Sequence, residues 1–334
     1  MSFWDTSERP IFVLAPMADV TDAAFRRIIA KYSKVPGGTP YITWTEFVSA
    51  DGLARAPEAG KKKLLADLMY TDAERPIVAQ FFGSNPQNME YAARLAVELG
   101  FDGIDLNMGC PVDAILHQGT GAAHIHNPVL AQEVIAAAKR GANGLPVSVK
   151  TRLGYNKDEL EEWLPRLLET ELAAITIHAR TRKEMSLVPA RWDRIARAVE
   201  IRNEMQSGTL ILGNGDLIDV ADARMKVTET GADGAMLGRA IFGNPWLFAP
   251  QTTFQHSQEC ENVVAKEEKL RVMVEHTQLF EELLPHKSFM LMKKHYKAYV
   301  HGFEGAAELR AELMLAADAR AISETVDKWL AAHR

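Results

Sequence analysis

The chain alternates between short apolar runs and longer segments in which apolar residues recur at helical spacing. The runs are Ile11 to Ala15, Tyr41 to Phe47, Ile77 to Phe82, Ile104 to Leu106, Val147 to Lys150, Ala174 to His178, Thr209 to Leu212 and Gly234 to Leu237. Turn formers follow many of them, and each reads as a buried strand. Helical patterns fill the intervals. Thr21-Asp22 caps one whose face carries Phe25, Ile28 and Ile29, while Asn85-Pro86 and Asn127-Pro128 open two others. The strand ends recur about 32 residues apart, the length of one βα unit. Eight such units predict an α/β fold, a closed (β/α)8 TIM barrel rather than an open doubly wound sheet. The first unit has no Gly-x-Gly-x-x-Gly, which also counts against a dinucleotide-binding sheet.

After Pro250 the pattern changes. Residues 251–262 are polar and read as a linker, and from 263 onward only helical spacing is found, over about 263–284, 288–301, 306–317 and 321–333. The expected organisation is a barrel over 1–250, a linker over 251–262 and a small C-terminal all-helical domain over 263–334.

A length of 334 residues suits one barrel with a helical appendage. At 47% hydrophobic and 25% charged residues the composition is that of a globular protein with ample core. Two cysteines exclude a disulfide scaffold and fit a reducing compartment, so a cytoplasmic location is expected. No stretch reads as a membrane span or a secretory signal. A net charge of −6 argues against a wholly basic nucleic-acid binder but leaves room for a local basic face. Neither a cysteine cluster nor His-Glu-x-x-His is present, so no metal is expected.

In a barrel, residues at the carboxyl ends of the strands face one shared site. That places Met17, Gln80, Asn107, Cys110, Lys150, His178, Asn214, Asp216, Gly238 and Arg239 on one rim. Cys110 follows a strand on a Gly-Cys-Pro turn, a position suited to thiol chemistry. The turns Gly213-Asn214-Gly215-Asp216 and Gly238-Arg239 follow the last two strands. Barrel phosphate sites form there, because glycine lets backbone N–H groups approach an anion and an arginine adds a charge-assisted bond. Lys150 at a strand end needs an anionic partner if it is buried, His178 can donate to a carbonyl, and Gln80 and Asn107 are amides able to read a flat heterocycle.

These residues carry a resemblance. Ala15-Pro16-Met17-Ala18 with Thr21-Asp22 and Arg26, Thr45-Glu46, Asp105-Leu106-Asn107 with Gly109-Cys110-Pro111, Lys150-Thr151-Arg152, His178-Ala179-Arg180-Thr181, Asn214-Gly215-Asp216, Gly238-Arg239 with Asn244-Pro245-Trp246, and Lys293-Lys294-His295-Tyr296 occur in order. Together they resemble the tRNA-dihydrouridine synthases over nearly the whole chain. The resemblance implies FMN bound by Pro16, Met17, Ala18, Gln80, Lys150, His178, Asn214, Gly215, Asp216, Gly238 and Arg239. It implies NADPH as the electron donor and hydride transfer from flavin N5 to C6 of a flipped-out uracil, with Cys110 as the acid that protonates C5. Asn107, Arg152 and Arg180 would meet the substrate. After Cys110, His117-Gln118-Gly119-Thr120 stands where relatives often carry more lysine.

The segment from Pro285 to Phe303 holds Lys287, Lys293, Lys294 and Lys297 with Tyr296 and Tyr299 and no acidic residue. It suits phosphate contacts, and the resemblance implies tRNA as the partner of this domain; a monomer is expected. Two other readings share part of this pattern. One is a flavin oxidoreductase acting on a free, dihydroorotate-like pyrimidine, which leaves the basic helical tail unexplained. The other is an RNA-binding relative that has lost turnover.

Overall fold

Eight parallel strands close into a barrel in strict chain order, with the last pairing the first. They are β1 (Ile11–Leu14), β2 (Tyr41–Ser49), β3 (Ile77–Phe82), β4 (Gly103–Met108), β5 (Val147–Arg152), β6 (Ala174–His178), β7 (Leu210–Asn214) and β8 (Gly234–Leu237). The structure is a computed structural model and describes residues 2–250, 255–257 and 260–333. The expected (β/α)8 barrel is the observed one, and each of the eight apolar runs is a strand.

The lumen changes character along its axis. Ile11, Val13, Ala15, Ile42, Trp44, Val78, Ala174, Leu212 and Met236 form one buried apolar cluster with Trp4. Trp4 comes from a short helix, α1 (Phe3–Thr6), held by a capping box between Ser2 and Asp5. Its ring meets that of Trp44 edge-on at 5.9 Å, so α1 plugs the amino end of the barrel. Further along β3, β4 and β5 the lumen turns polar. Gln80 sits two residues beyond Val78, Asp105 and Asn107 share one face of β4, and Ser148 and Lys150 share one face of β5.

Chain contacts divide the protein into two compact units. The first comprises Met1–Ala18, Pro40–Leu68 and Arg75–Arg239; the second comprises Asp19–Thr39, Met69–Glu74 and Ala240–Arg334. The helix that follows β1, α2 (Ala23–Ser33), belongs to the second unit. The first unit holds α3 (Ala50–Arg55), α4 (Glu58–Asp67), α5 (Pro86–Glu98), α6 (Asp113–Leu116), α7 (Pro128–Ala142), α8 (Leu160–Leu168), α9 (Trp192–Glu204) and α10 (Val220–Thr230). Asn85 and Asn127 accept main-chain N–H bonds at the starts of α5 and α7, each with proline at the first helical position.

The second unit is built from α2 with α11 (Lys266–Leu283), α12 (Lys293–Tyr299), α13 (Ala306–Leu315) and α14 (Ala319–Ala332). Phe25 of α2 is fully buried between the rings of His276 and His295. The stretch read as a linker contains a two-stranded antiparallel ribbon, β9 (Gln255–Ser257) and β10 (Cys260–Val263), so this unit is not purely helical. The rest of that stretch, 251–254 and 258–259, lies outside the described residues. Among the described residues, no helix is long and apolar enough to cross a membrane.

Candidate active site at the barrel rim

Cys110 lies two residues past the end of β4, on a turn seated from two sides. Asn107 Oδ1 accepts the N–H groups of Gly109 at 3.2 Å and Cys110 at 2.9 Å. From the other side, Ala122 donates to the Cys110 carbonyl at 3.1 Å. Gly121 makes that approach possible: its φ is +62°, and a Cβ there would stand 2.8 Å from the Cys110 oxygen. The thiol is buried, and burial raises its pKa, opposed by the Val112 N–H and the charges of Lys150 and Arg152. It is therefore a protonated thiol at neutral pH, a form able to give a proton.

Lys150 is the register partner of Asn107 across β4 and β5. The barrel wall strips water from its ammonium and lowers its pKa to about 8; the nearby Arg152 pushes the same way, while Asp105 and Cys110 oppose. Among the described residues Lys150 makes no ion pair or hydrogen bond. A desolvated cation without an acceptor marks a place for an anionic or electron-rich ligand.

His178, at the end of β6, is kept neutral by burial and by the surrounding charges of Arg152, Lys150, Arg180 and Arg239, which push its pKa well below the ordinary value. Arg180 Nη1 lies 3.2 Å from His178 Nε2. Since a guanidinium can only donate, Nε2 accepts and the ring proton is assigned to Nδ1, which leaves one donor.

The two glycine-bearing turns behave differently from one another. Asn214 Nδ2 donates to the Met236 carbonyl at 2.7 Å and ties β7 to β8. Gly215 has φ +128°, and a Cβ there would come within 2.8 Å of the Ala190 Cβ. Gly238 lies beside Met17, with a hypothetical Cβ 3.6 Å from the Met17 sulfur. Pro16 is buried, Met17 half-buried and Ala18 exposed. The Asp216 carboxylate binds two arginines, Arg180 on one oxygen and Arg239 at 2.5 Å on the other, and also accepts the Ala190 N–H at 2.8 Å. Partial burial opposes ionisation of Asp216, but these bonds and charges outweigh it and hold the carboxyl below its usual range. Asp216 thus orients Arg239, whose side chain is 64% exposed, toward solvent at the turn.

Arg152 and Arg180, expected to meet substrate, are buried and spend their donors inside the protein, Arg152 on main-chain carbonyls and Arg180 on the Val188 carbonyl, His178 and Asp216. Arg152 donates to Gly109, Thr181 and Met185 at 2.8, 3.0 and 3.0 Å, and Arg180 Nε donates to Val188 at 2.5 Å. Both hold the loop after β6. Asp105 and Ser148 were read only as part of a motif or a strand, yet they join the rim network. The signal was their parity: each stands two residues before an expected site residue, on the same strand face.

The four lysines of the second unit are not alike. Lys287 pairs with Asp19 at 3.8 Å, and Lys293 donates to the Met314 carbonyl at 2.6 Å. Lys294 is half-buried. Lys297 is exposed and, with His301 and Arg310, lines a cavity of about 480 Å³ floored by Ala307, Ala311 and Met314.

The fold and the rim define a (β/α)8-barrel protein whose polar groups gather at the strand carboxyl ends, where barrel enzymes carry their sites. The chain belongs to the dihydrouridine synthase (Dus) family, whose model matches residues 13–333. It is 40% identical to the probable tRNA-dihydrouridine synthase 2 of Bacillus subtilis (strain 168) over 314 residues, 94% of this chain and 92% of that one. It is 38% identical to a probable tRNA-dihydrouridine synthase of Staphylococcus epidermidis over 332 residues, 98% of this chain and 96% of the relative. Among solved structures, histamine dehydrogenase from Rhizobium sp. 4-9 shares the barrel fold at 12% identity with a TM-score of 0.54, over 80% of this chain and 48% of that one.

Proposed function

We propose that this protein reduces uridine to 5,6-dihydrouridine in tRNA, with FMN as its cofactor and NADPH as the electron donor. The observation that carries the reading is Lys150, a half-buried ammonium with a lowered pKa and no hydrogen bond or ion pair among the described residues, set beside a protonated thiol on the rim of a dihydrouridine-synthase barrel. The donor set fits a flavin mononucleotide. Lys150 supplies a cation for the electron-rich ring, His178 a neutral N–H donor, and the Gly215 and Gly238 turns with Arg239 a cradle for the phosphate. Pro16, Met17 and Ala18 form the neighbouring wall.

When bound, the flavin supplies the hydride for C6 of the uracil. Cys110 Sγ–H then gives its proton to C5. The resulting thiolate is stabilised by the charges of Lys150 and Arg152 and regains a proton from solvent. Arg152 and Arg180 act on the substrate through the loop they hold, rather than by direct contact. The segment 263–334 serves as the tRNA-binding part, with the exposed Lys297 as its most available cation, beside His301 and Arg310, and Lys287, Lys293 and Lys294 as supporting charge.

The test is anaerobic reoxidation of the reduced flavin by unmodified tRNA. Fast reoxidation by tRNA but not by free uracil or dihydroorotate is the expected result, and a reduced flavin indifferent to tRNA would defeat the proposal. Cys110→Ala is expected to retain FMN and its reduction by NADPH while dihydrouridine formation falls by about 100-fold or more, as loss of a general acid does.

A further inference from the structure

Asp105 has no part in the chemistry just described, yet it is fully buried at the root of the rim. Gln80, Asp105 and Ser148 are register partners across β3, β4 and β5. Gln80 Nε2 donates to Asp105 Oδ2 at 2.6 Å, and Ser148 Oγ donates to Asp105 Oδ1 at 2.5 Å. Gln80 Oε1 then faces away from the carboxylate and accepts Asn107 Nδ2 at 3.2 Å. That bond in turn directs Asn107 Oδ1 at the turn, where it accepts the Gly109 and Cys110 N–H groups.

We propose that Asp105 is a positioning residue: its carboxylate sets the hydrogen-bond direction of Gln80 and Asn107 and thereby seats the turn that carries Cys110. An ionised carboxylate only accepts, so the Gln80 amide has one allowed orientation. Reversing it sets an amide oxygen against the carboxylate and two NH2 groups against each other. If Asn107 reversed as well, its NH2 would face two main-chain N–H groups. The bonds keep or lose their direction together, and in a buried site each mismatch leaves a polar group unpaired. Burial raises the Asp105 carboxyl to about 6, opposed by the Gln80 and Ser148 bonds and by Lys150, so the acceptor form dominates at neutral pH.

This assignment rests on the reading of Cys110 as the proton donor for its functional meaning, but the seating can be measured without flavin or tRNA. The experiment is alkylation of the ligand-free full chain by iodoacetamide at fixed pH, read by mass spectrometry on the peptide containing Cys110. Asp105→Ala is expected to speed alkylation about 5- to 10-fold by freeing the turn. Gln80→Glu, which sets two carboxylates face to face, should do the same. Combining Asp105→Asn with Gln80→Glu reverses the bond between positions 80 and 105 but restores its donor–acceptor complementarity and keeps an acceptor facing Asn107, and it should return the rate to within about twofold of the parent.

An unchanged rate in a folded Asp105→Ala chain overturns the proposal. So does a double variant as reactive as Gln80→Glu alone, and that pair decides the matter if Asp105→Ala does not fold. In turnover, kcat for Asp105→Ala should fall about 10-fold or more with KM for tRNA unchanged. A parent protein that makes no dihydrouridine yet shows the alkylation pattern would sink the proposed reaction and leave the seating intact.

Discussion

Two cations in this protein, one buried and one half-buried, are treated in opposite ways. Arg26, in the helical unit, donates to Glu74 at 2.8 Å, to the Thr21 carbonyl at 2.8 Å and to the Met69 carbonyl at 2.6 Å. Its partner Glu74 also accepts the Thr71 N–H and hydroxyl at 2.8 and 3.1 Å. The charge is neutralised by side chain and main chain, and the pair does nothing but hold α2 to the turn at 69–74. Lys150, in the barrel unit, has a lowered pKa and, among the described residues, no hydrogen bond or ion pair. A scaffold satisfies its buried charges; a binding site leaves one for its ligand. The hydrogen-bond inventory separates the two cases.

Three substitutions sharpen the contrast. The largest effect is expected at the satisfied pair. Glu74→Ala leaves the Arg26 guanidinium buried and unpaired, and urea unfolding should register a loss of about 3–5 kcal/mol. At the unsatisfied site the sign reverses. Lys150→Met removes a desolvated ammonium, so the ligand-free chain should gain about 2–3 kcal/mol at pH 7 while losing retained flavin. The folded pKa of Lys150, about 8, lies below its unfolded value of 10.5. Its destabilising contribution is therefore fully present below pH 8 and is lost as pH rises to 10.5, so the variant's advantage should shrink across that window. A variant no more stable than the parent at pH 7 would erase the distinction.

The smallest effect belongs to the neutral histidines of the helical unit. Burial pushes His295 down to about 3 and His276 well below its ordinary value, each aided by a neighbouring imidazole or lysine charge. His276 is enclosed by Phe25, His295 and Tyr299. The unfolded chain binds protons that the folded one does not between pH 6.5 and 3, so stability falls as pH falls through that range. His276→Phe should recover about 1 kcal/mol at pH 5.5 relative to its effect at pH 7.5. Equal effects at the two pH values would mean that the ring takes up its proton as readily in the fold as in the unfolded chain.

The barrel was legible because each of its strands is a short apolar run and its units recur at a steady spacing. Residues near strand ends were legible for the same reason: His178 and Asn214 are the last residues of β6 and β7, and Asn107 and Lys150 lie one and two residues before the ends of β4 and β5. What sequence could not supply was pairing. Gln80 and Asn107 read as free amides, yet they are bonded to each other, and Asp105 meets Gln80 and Ser148 from 25 and 43 residues away. Arg152 and Arg180 read as substrate contacts because exposure cannot be judged from type alone. Helix α2 follows a barrel strand in sequence but joins the helical unit through Phe25 and Arg26, a choice settled by partners such as His276 that lie far along the chain. The ribbon of β9 and β10 was hidden by its polar composition.

The plug formed by α1 carries a kinetic consequence. Among the described residues Trp4 and Trp44 fill the amino end, so a reactant approaches the Lys150 and Cys110 groups from the polar end of the lumen. A bulky electron donor and a flipped nucleotide cannot share it at once. Under the proposed reaction they must take turns, the first leaving before the second arrives, and steady-state plots against the two reactants should run as parallel lines.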